Sequence, residues 1–421
     1  MKTDVAIIGA GPAGATAAID LARMGIDTVL VEKETFPRFH IGESLTGESG
    51  KVLRSLGLEE RLNEKGHPVK RGVKVFGPGG RNSFWVPVVT VTEEGDRFES
   101  STWQVRRSDF DTLLLEEAQS AGATLLKGEA LEPIVQDDGQ VTGLRVALED
   151  GIAETIESKI LLDASGMKCF LSRAKVTGPK ERGLYDKQIA VFTHVRGAKR
   201  DPGDQRDNTI IFYQKPAHWA WFIPIDDETV SVGVVVPTSY FRDCDETKTE
   251  FLTREFRELN SELAERLVDA EIGIEPLATT NYSYHIREFT GPGWACIGDS
   301  HRFIDPVFSF GVHFSLHEAR KVATAIAEHL AAGAPDGVNP FREYQSYAEA
   351  GQDVIQDMLD AFWLEPFGFA YAVHKAHRDE IIDFFAGRFY DLEDEPDGLA
   401  AIRKLAASGR ARQMAQAGSN T

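Results

Sequence analysis

The apolar and polar positions at the start of the chain predict a strand, a glycine-rich turn, a helix and a second strand. An apolar run at residues 5–8 leads into the sequence GAGPAG at residues 9–14, and a helical pattern follows at residues 15–24. A second apolar run, residues 28–31, ends at Glu32. This order indicates two parallel strands joined by a crossover helix.

The residues of the turn have the chemistry of a dinucleotide-binding site. Gly9 suits a tight turn, Gly11 lets the backbone approach a pyrophosphate, and Gly14 lets the helix pack against the strand. Ala13 belongs to the turn that leads into the helix, whose N-terminus attracts phosphate. Glu32, about twenty residues farther on, is placed to accept hydrogen bonds from a ribose diol. The pattern therefore predicts a Rossmann-like domain of the α/β class.

Later apolar runs predict that this domain is discontinuous. Residues 160–163 and 294–299 are apolar strands that end at an acid and a glycine turn, so we expect them to rejoin the parallel sheet. The domain is expected at residues 1–180 and 290–335, and a long helix is expected from Gly311. Ligands bind at the carboxyl ends of parallel strands, so the polar loop after Glu32 should border the ligand.

Alternating residues predict an inserted antiparallel β-sheet substrate domain at residues 65–100 and 185–290. It includes a hairpin that carries Lys70 and Lys74, and a helical stretch at residues 248–269. By pattern alone such lysines are solvated strand residues. Residues 336–421 are expected to form a helical C-terminal region, and the small polar residues from Gly409 onward predict a frayed tail.

Composition narrows the range of partners. The 421 residues carry a net charge of −20, so the long-range field repels nucleic acid and anionic membranes. The three cysteines show no metal-ligand spacing, which predicts a reduced protein without a metal. The N-terminus lacks the features of a signal peptide, and no run of eighteen apolar residues occurs. We therefore expect a cytoplasmic protein with no integral membrane segment.

The motifs together resemble the flavoprotein monooxygenase superfamily. They are the glycine turn with Glu32, QVRRSDFD at residues 104–111, DASG at residues 163–166 and GD at residues 298–299. The resemblance covers residues 1 to about 330 and implies bound FAD. It places Arg107 near the cofactor and Asp299 beside its ribityl and pyrophosphate portion.

Four further motifs are similar to those of flavin-dependent halogenases. They are WAWFIP at residues 219–224, RFHIGES at residues 38–44, DPVFSFGVH at residues 305–313 and KRGVKVF at residues 70–76. The pattern is closest to the halogenases that act on phenols and pyrroles, which are often tethered to a carrier protein. The resemblance makes Lys70 the catalytic lysine and Lys74 a structural neighbour. It also puts Arg38 and Ser44 in the loop beside FAD.

The same resemblance implies a halide site and a wall beside the flavin. Backbone amides of Ser309, Phe310 and Gly311 are expected to hold chloride or bromide, with Gly311 also at the cofactor. Amides at the start of a helix form a natural anion site. The expected wall residues are Trp219, Trp221 and Pro306, and the two tryptophans could equally fill a gap between domains, because they share one face of a strand.

The implied chemistry joins these residues. A flavin hydroperoxide and halide give hypohalous acid, which Lys70 holds by hydrogen bonding or carries as a haloamine to an electron-rich aromatic ring. A lysine in an apolar cavity has the lowered pKa that either role needs. The sequence has no second glycine fingerprint for NAD(P)H, so a separate flavin reductase is the expected source of reduced FAD.

The sequence departs from the tryptophan halogenases at one position, and several alternative functions stay open. Tryptophan halogenases carry a glutamate where this chain has Phe308, next to Ser309, which argues against their mechanism. A geranylgeranyl-reductase-like enzyme and an aromatic hydroxylase share much of the FAD-binding pattern. A non-catalytic flavin-binding protein is a further alternative.

Overall fold

The computed structural model describes residues 1–92, 95–183, 185, 187–280 and 282–418. In these residues the α-helices are α1 (Pro12–Arg23), α2 (Gly47–Ser55), α3 (Glu59–Glu64), α4 (Arg107–Ala121), α5 (Phe170–Arg173), α6 (Thr238–Asp243), α7 (Lys248–Glu258), α8 (Ser261–Leu267), α9 (Gly311–Ala331), α10 (Arg342–Leu364), α11 (Pro366–Tyr371), α12 (Arg378–Ala386) and α13 (Asp397–Gly418). The strands are β1 (Lys2–Ile8), β2 (Thr28–Glu32), β3 (Val69–Lys70), β4 (Gly72–Phe76), β5 (Ser83–Pro87), β6 (Val89–Val91), β7 (Arg97–Glu99), β8 (Thr102–Trp103), β9 (Thr124–Val135), β10 (Val141–Leu148), β11 (Ala153–Asp163), β12 (Lys180–Arg182), β13 (Gln188–Arg196), β14 (Thr209–Lys215), β15 (His218–Pro224), β16 (Thr229–Pro237), β17 (Glu271–Ile272), β18 (Leu277–Thr280), β19 (Tyr284–Ile286), β20 (Thr290–Gly291), β21 (Trp294–Cys296) and β22 (Arg302–Phe303).

A seven-stranded sheet forms the nucleotide-binding half of the molecule, and its strands are parallel except for β10 and β20. Strand β1 lies between β2 and β11, and β11 continues to β21, with all three pairings parallel. Ile8 is paired with both Val31 and Asp163, and Asp163 is paired with Cys296. The carboxyl ends of the four strands are therefore aligned. The predicted return of the later strands to the parallel sheet is confirmed, and the turns that follow these strands lie side by side.

The second sheet has the order β17, β13, β16, β15, β14, β4, β5, and β18 pairs with β13. Its pairings are antiparallel except that between β14 and β4. The predicted hairpin is confirmed as β4 and β5, and β4 pairs with β14 from much later in the chain. It carries Lys74 but not Lys70, because Lys70 lies on β3, which pairs with β8 instead. The mixed α/β fold with an added antiparallel sheet is confirmed, while the domain boundaries stay a prediction.

Alternation along the strands of this sheet gives it two apolar faces. Val75 belongs to a core shared with the C-terminal helices, where Met358 and Phe384 are buried. Phe76, the next residue, belongs to a separate core with Phe251 on α7. The first face is the one that looks toward the nucleotide-binding half and the C-terminal helices.

Two helical predictions differ from the structure. The stretch predicted at residues 248–269 is two helices, α7 and α8, because Asn260 leaves the helical conformation and its side chain caps α8 through the Glu262 amide. The frayed tail predicted from Gly409 is also wrong as far as Gly418, because α13 continues to that residue. Arg410 in this segment pairs with Asp360 of α10 at 2.6 Å. Gly409 allows the two helices to pack closely, because a Cβ there would lie 2.5 Å from the Cβ of Leu364.

Helix α13 should contribute strongly to stability through Ile402. This side chain is fully buried in the core shared with α10, whereas Lys404, two residues away, is exposed. We expect Ile402→Ala to lower the free energy of unfolding by about 2–5 kcal/mol, since it leaves a cavity. Lys404→Ala should change it by less than about 0.5 kcal/mol. Urea unfolding of both variants measures this, and equal midpoints would show that α13 is not docked in solution.

Candidate active site

A cavity of about 540 Å³ opens at the aligned carboxyl ends of the parallel strands. Of the residues that the sequence predicted, it is lined by Gly9, Gly11, Ala13, Glu32, Arg38, Ser44, Arg107, Trp219, Trp221, Asp299, Pro306, Ser309 and Gly311. Gly14, Lys70 and Phe310 are not part of this lining. The structure thus brings most of the predicted residues to one place, and their individual roles stay predictions.

The glycine turn has the geometry that a dinucleotide requires. Gly9 has a φ of +97°, and a Cβ there would lie 2.6 Å from the carbonyl oxygen of Ala164. A Cβ on Gly14 would lie 2.0 Å from the carbonyl oxygen of Gly9, so Gly14 serves the packing of α1 on the turn. At Gly11 an added Cβ would meet only Arg38, at 3.5 Å. Gly11 therefore leaves open space for a phosphate at the start of α1.

The Glu32 carboxylate is fixed at the end of β2. One oxygen accepts a hydrogen bond from the Ala10 amide at 2.9 Å, and the other accepts from the Glu34 amide at 2.8 Å. Each carboxylate oxygen can accept a second hydrogen bond. The carboxylate is therefore oriented by the backbone and retains acceptor capacity toward the cavity, as a ribose diol requires.

The two predicted arginines differ in how many of their donors have a hydrogen-bond partner. Arg107 donates to both oxygens of Asp111, at 2.7 and 2.9 Å, and to the carbonyl oxygen of Ile41 at 2.5 Å. It therefore anchors the loop over the cavity. The buried Nη1 of Arg38 has no hydrogen-bond partner, although it lies 3.3 Å from Asp111. An unsatisfied buried donor is costly, so this atom fits a phosphate acceptor of FAD.

Asp299 supplies a carboxyl group on the opposite side of the glycine turn. It lies in the 3₁₀ turn Gly298–Ser300, which the Glu318 carboxylate fixes by accepting from the Gly298 amide at 2.6 Å. Burial raises the pKa of Asp299 to about 7, against the lowering effect of nearby Arg107. Such a carboxyl can donate as well as accept hydrogen bonds, which suits the hydroxyl groups of a ribityl chain.

The loop before α9 offers backbone donors, but fewer than predicted. Ser309 has a left-handed φ of +61°, and its amide donates to the carbonyl oxygen of Pro306 at 2.9 Å. That amide is therefore occupied. Helix α9 begins at Gly311 without a side-chain cap, and the first amides of a helix have no acceptor within it. The Phe310 side chain is buried in the core, so only its backbone remains for an anion.

Trp219 and Trp221 form one wall of the cavity. Both lie on β15 and face the same side of the sheet, with ring centroids 5.9 Å apart. The indole N–H of Trp221 donates to the Ser231 hydroxyl at 3.1 Å. A Cβ on Gly233 would lie 2.3 Å from the Trp221 ring, so that glycine makes room for it. These rings present an apolar surface with no proton-transfer group, as expected for wall residues.

Lys70 is buried, which the strand pattern alone did not predict. Its side chain on β3 is 3% exposed and donates to the Ser44 hydroxyl at 2.9 Å and to the Leu45 carbonyl oxygen at 2.7 Å. No carboxylate is among these partners. Burial therefore lowers the pKa of Lys70 to about 7. Lys74 differs, because it is half-buried and lies 3.7 Å from Asp201.

Lys70 faces a second cavity that shares walls with the first. This cavity of about 40 Å³ is largely apolar and includes Phe84, Phe308 and Phe385 among its walls. Ser309 and Ile211 line both cavities. Ser44 lines the larger cavity and accepts the hydrogen bond from Lys70. The lysine and the larger cavity are therefore separated by a single layer of side chains.

Several residues that hold Lys70 in place were not predicted. The Thr209 hydroxyl lies 2.7 Å from that of Ser44 and accepts from the Gln104 amide group at 2.8 Å. The Asn208 side-chain oxygen accepts from the backbone amides of Arg71 and Gly72, at 2.7 and 2.9 Å. Polar residues such as Thr209 and Asn208, at the start of a strand, give no sequence signal, because their partners are distant along the chain.

The described residues show neither a metal-binding cluster nor a membrane-spanning helix. Within them, no group of three or more His, Cys, Asp or Glu side chains is arranged to hold a metal ion. In the same part of the chain, every helix is too short or too polar to cross a membrane.

The parallel sheet and the cavity at its edge define a dinucleotide-binding protein, and comparison with known proteins makes it a flavoprotein. The family model described as FAD binding domain matches residues 2–361. A 1H-pyrrole-2-carbonyl-[peptidyl-carrier protein] brominase from Pseudoalteromonas luteoviolacea (strain 2ta16) is 38% identical over 93% of both chains. The solved structure of the flavin-dependent brominase Bmp2 superposes with a TM-score of 0.90, at 37% identity, over 98% of this chain and 100% of that one.

The protein belongs to the flavin-dependent halogenases. A tryptophan 2-halogenase from Chondromyces crocatus is 32% identical over 82% of this chain, which spans 64% of that longer protein. The resemblance stated from the motifs is therefore confirmed, together with FAD as the cofactor of an oxidoreductase. The relatives do not favour the geranylgeranyl-reductase-like alternative.

FAD affinity should depend on the open space at Gly11. A valine side chain there would enter the cavity at the start of α1 without displacing the backbone, because only Arg38 is near. We expect Gly11→Val to weaken FAD binding by about 100-fold, or roughly 2.7 kcal/mol. Fluorescence titration of the apoprotein with FAD measures this. The melting temperature of the apoprotein should be unchanged, and unaltered FAD affinity would place the pyrophosphate elsewhere.

The free energy of unfolding of the apoprotein should depend on pH because Lys70 is buried. Burial lowers the folded pKa of Lys70 to about 7, below its ordinary value of 10.5, so between these values the unfolded state binds more protons. Stability from this group therefore rises with pH across that window. Urea unfolding should show that Lys70→Met lacks this rise, so that the variant's stability relative to wild type falls from pH 7 to pH 10. Parallel pH profiles would mean that the ammonium group is solvated.

Proposed function

We propose that the protein halogenates an electron-rich aromatic compound and that Lys70 transfers the halogen. The observation that carries this proposal is the position of Lys70, which is buried without a carboxylate in a small apolar cavity that shares walls with the larger one. An ammonium group is seldom buried in this way unless its chemistry is used.

The larger cavity fits FAD in its donors and acceptors. Gly11 leaves space for a pyrophosphate, Arg38 offers an unsatisfied donor, and Glu32 retains acceptor capacity for a diol. When bound and reduced, FAD would supply the two electrons that bring oxygen to the peroxide level, and oxygen at that level would take two further electrons from the halide. The tryptophan wall keeps bulk water and other reducing side chains from this end of the cavity.

A halide would be held at the start of α9. Because the Ser309 amide is already bonded to Pro306, we assign the amides of Phe310 and Gly311 as the donors. The positive end of the 21-residue helix α9 adds to the attraction for an anion. Chloride and bromide are both compatible with backbone donors of this kind, and the sequence of the loop does not separate them.

Lys70 would receive the oxidised halogen on the other side of Ser309 and Ile211. Hypohalous acid and the neutral amine exchange to give a haloamine and water, and the ring then takes the halogen and returns the amine. A pKa near 7 leaves a large neutral fraction at neutral pH, as this exchange needs. Alternatively, the ammonium form activates hypohalous acid by a hydrogen bond. Both routes require the Lys70 amine to be fixed in position by its hydrogen bonds to Ser44 and Leu45.

The substrate and the source of electrons are part of the same proposal. The brominase relative acts on a pyrrole carried by a peptidyl carrier protein. The aromatic walls around Lys70 suit a small electron-rich ring, so we assign a pyrrole or phenol, free or tethered to a carrier. A separate flavin reductase is assigned as the donor of reduced FAD, since the sequence has no second glycine fingerprint.

Removal of the lysine separates halogenation from flavin oxidation. We expect Lys70→Ala to lower halogenated product by at least about 1000-fold, or 4 kcal/mol, while reduced FAD is still reoxidised by oxygen at a similar rate. Mass spectrometry of a phenol, pyrrole and indole panel with bromide and a flavin reductase measures product. Lys74→Ala, on the neighbouring strand β4, is the matched control and should retain halogenation. Product from Lys70→Ala at the wild-type rate would remove this lysine from the reaction.

A further inference from the structure

An exposed group of aromatic and basic residues lies on the C-terminal helices. Phe367 is 91% exposed and Tyr371 is 65% exposed, both on α11. Lys375 in the π-helical turn Ala372–Ala376 and Arg378 at the start of α12 are exposed beside them. Large aromatic side chains this exposed usually belong to an interaction site. We refer to these four residues as the aromatic-basic face.

The aromatic-basic face lies on the outer side of the wall of the Lys70 cavity. On α11 the buried Phe369 contacts Phe385, with ring centroids 6.5 Å apart, and Phe385 lines that cavity. The exposed His374 contacts Phe84, another wall residue, at 5.6 Å. Phe84 and Phe385 are both half-buried, so β5 and α12 form a partly exposed side of the cavity. The face adjoins this side.

The local charge of this region is opposite to that of the whole chain. Residues 366–378 contain Lys375, Arg378 and two histidines but no Asp or Glu, whereas the chain has a net charge of −20. Glu365 precedes this segment and Asp379 and Glu380 follow it, so the basic character is confined to the segment itself. Arg378 lies 3.6 Å from Asp379, an exposed pair of small energetic weight. A basic patch on an acidic protein favours an acidic partner and steers it to that patch.

We infer that the aromatic-basic face docks the acidic carrier protein that delivers a thioester-tethered aromatic substrate, an inference that rests on the proposed halogenation. Phe367 and Tyr371 supply the apolar centre of the contact, and Lys375 and Arg378 pair with carboxylates of the carrier. The flexible arm that bears the substrate then enters between Phe84 and Phe385 toward Lys70. Docking on the outside of this wall keeps the tethered ring within reach of the lysine.

Two double variants test the docking face. Lys375→Glu with Arg378→Glu reverses the charges, and Phe367→Ser with Tyr371→Ser removes the apolar centre. The probe is a peptidyl carrier protein loaded with a pyrrole-2-carbonyl thioester, compared with the same acyl group on free pantetheine. The matched control is Arg242→Glu with Arg257→Glu, since both arginines are exposed on helices α6 and α7, which pack on the other face of the second sheet.

We expect each double variant to raise the KM for the loaded carrier by about tenfold or more, which is about 1.4 kcal/mol, with kcat little changed. Rates with the pantetheine thioester should be unchanged, and the control should match wild type on both substrates. Raising the salt concentration should weaken carrier use by wild type more than by the charge variant.

Other outcomes overturn the inference in distinguishable ways. Equal KM values for the carrier in variants and wild type would exclude this face but leave the halogenase intact. Loss of activity on both substrates in a folded variant would make the face part of the active site instead. A wild-type dimer that the variants dissociate, or binding to anionic vesicles that they abolish, would assign a different occupant. If wild type halogenates neither substrate nor any phenol, the proposed function itself fails.

Discussion

The structure around the active site depends on the hydrogen bonds that fix the buried amine of Lys70. Lys70 has only the hydroxyl of Ser44 and the carbonyl oxygen of Leu45 as partners, and no carboxylate offsets the removal of its charge from water. Both partners belong to the loop that follows β2, which Arg107 fixes from the other side through Ile41. The loop that covers the FAD cavity is therefore also the support of the lysine, so cofactor binding and lysine position are coupled.

The two sheets place the FAD cavity and the Lys70 cavity next to each other, with a single layer of side chains between them. Alignment of the parallel strands brings the glycine turn, Glu32 and Asp299 to a single edge. The second sheet contributes the tryptophan wall from β15 and Ile211 from β14. Ser309, held in a left-handed conformation, is the point where both cavities meet.

Signals within short segments of the sequence predicted much of this arrangement. The features that were not predicted depend on contacts between residues far apart along the chain. The glycine turn, Glu32 and the helix from Gly311 follow from turn, strand and helix signals within short segments. The burial of Lys70 does not, since strand lysines are usually solvated, and only the resemblance to halogenases singled it out. Thr209 escaped notice because its partner Ser44 lies 165 residues away in the sequence. The docking of the tail through Arg410 likewise depends on a distant helix.

The most direct measurement of the central claim is the position of bromide in crystals of the FAD complex, located by its anomalous scattering. We expect one peak within hydrogen-bond distance of the Phe310 and Gly311 amides, on the FAD side of Ser309, with the Lys70 amine on the other side of that residue. A bromide bound instead at the lysine, or found only on the protein surface, would contradict a halogen that is oxidised in one cavity and transferred in the next.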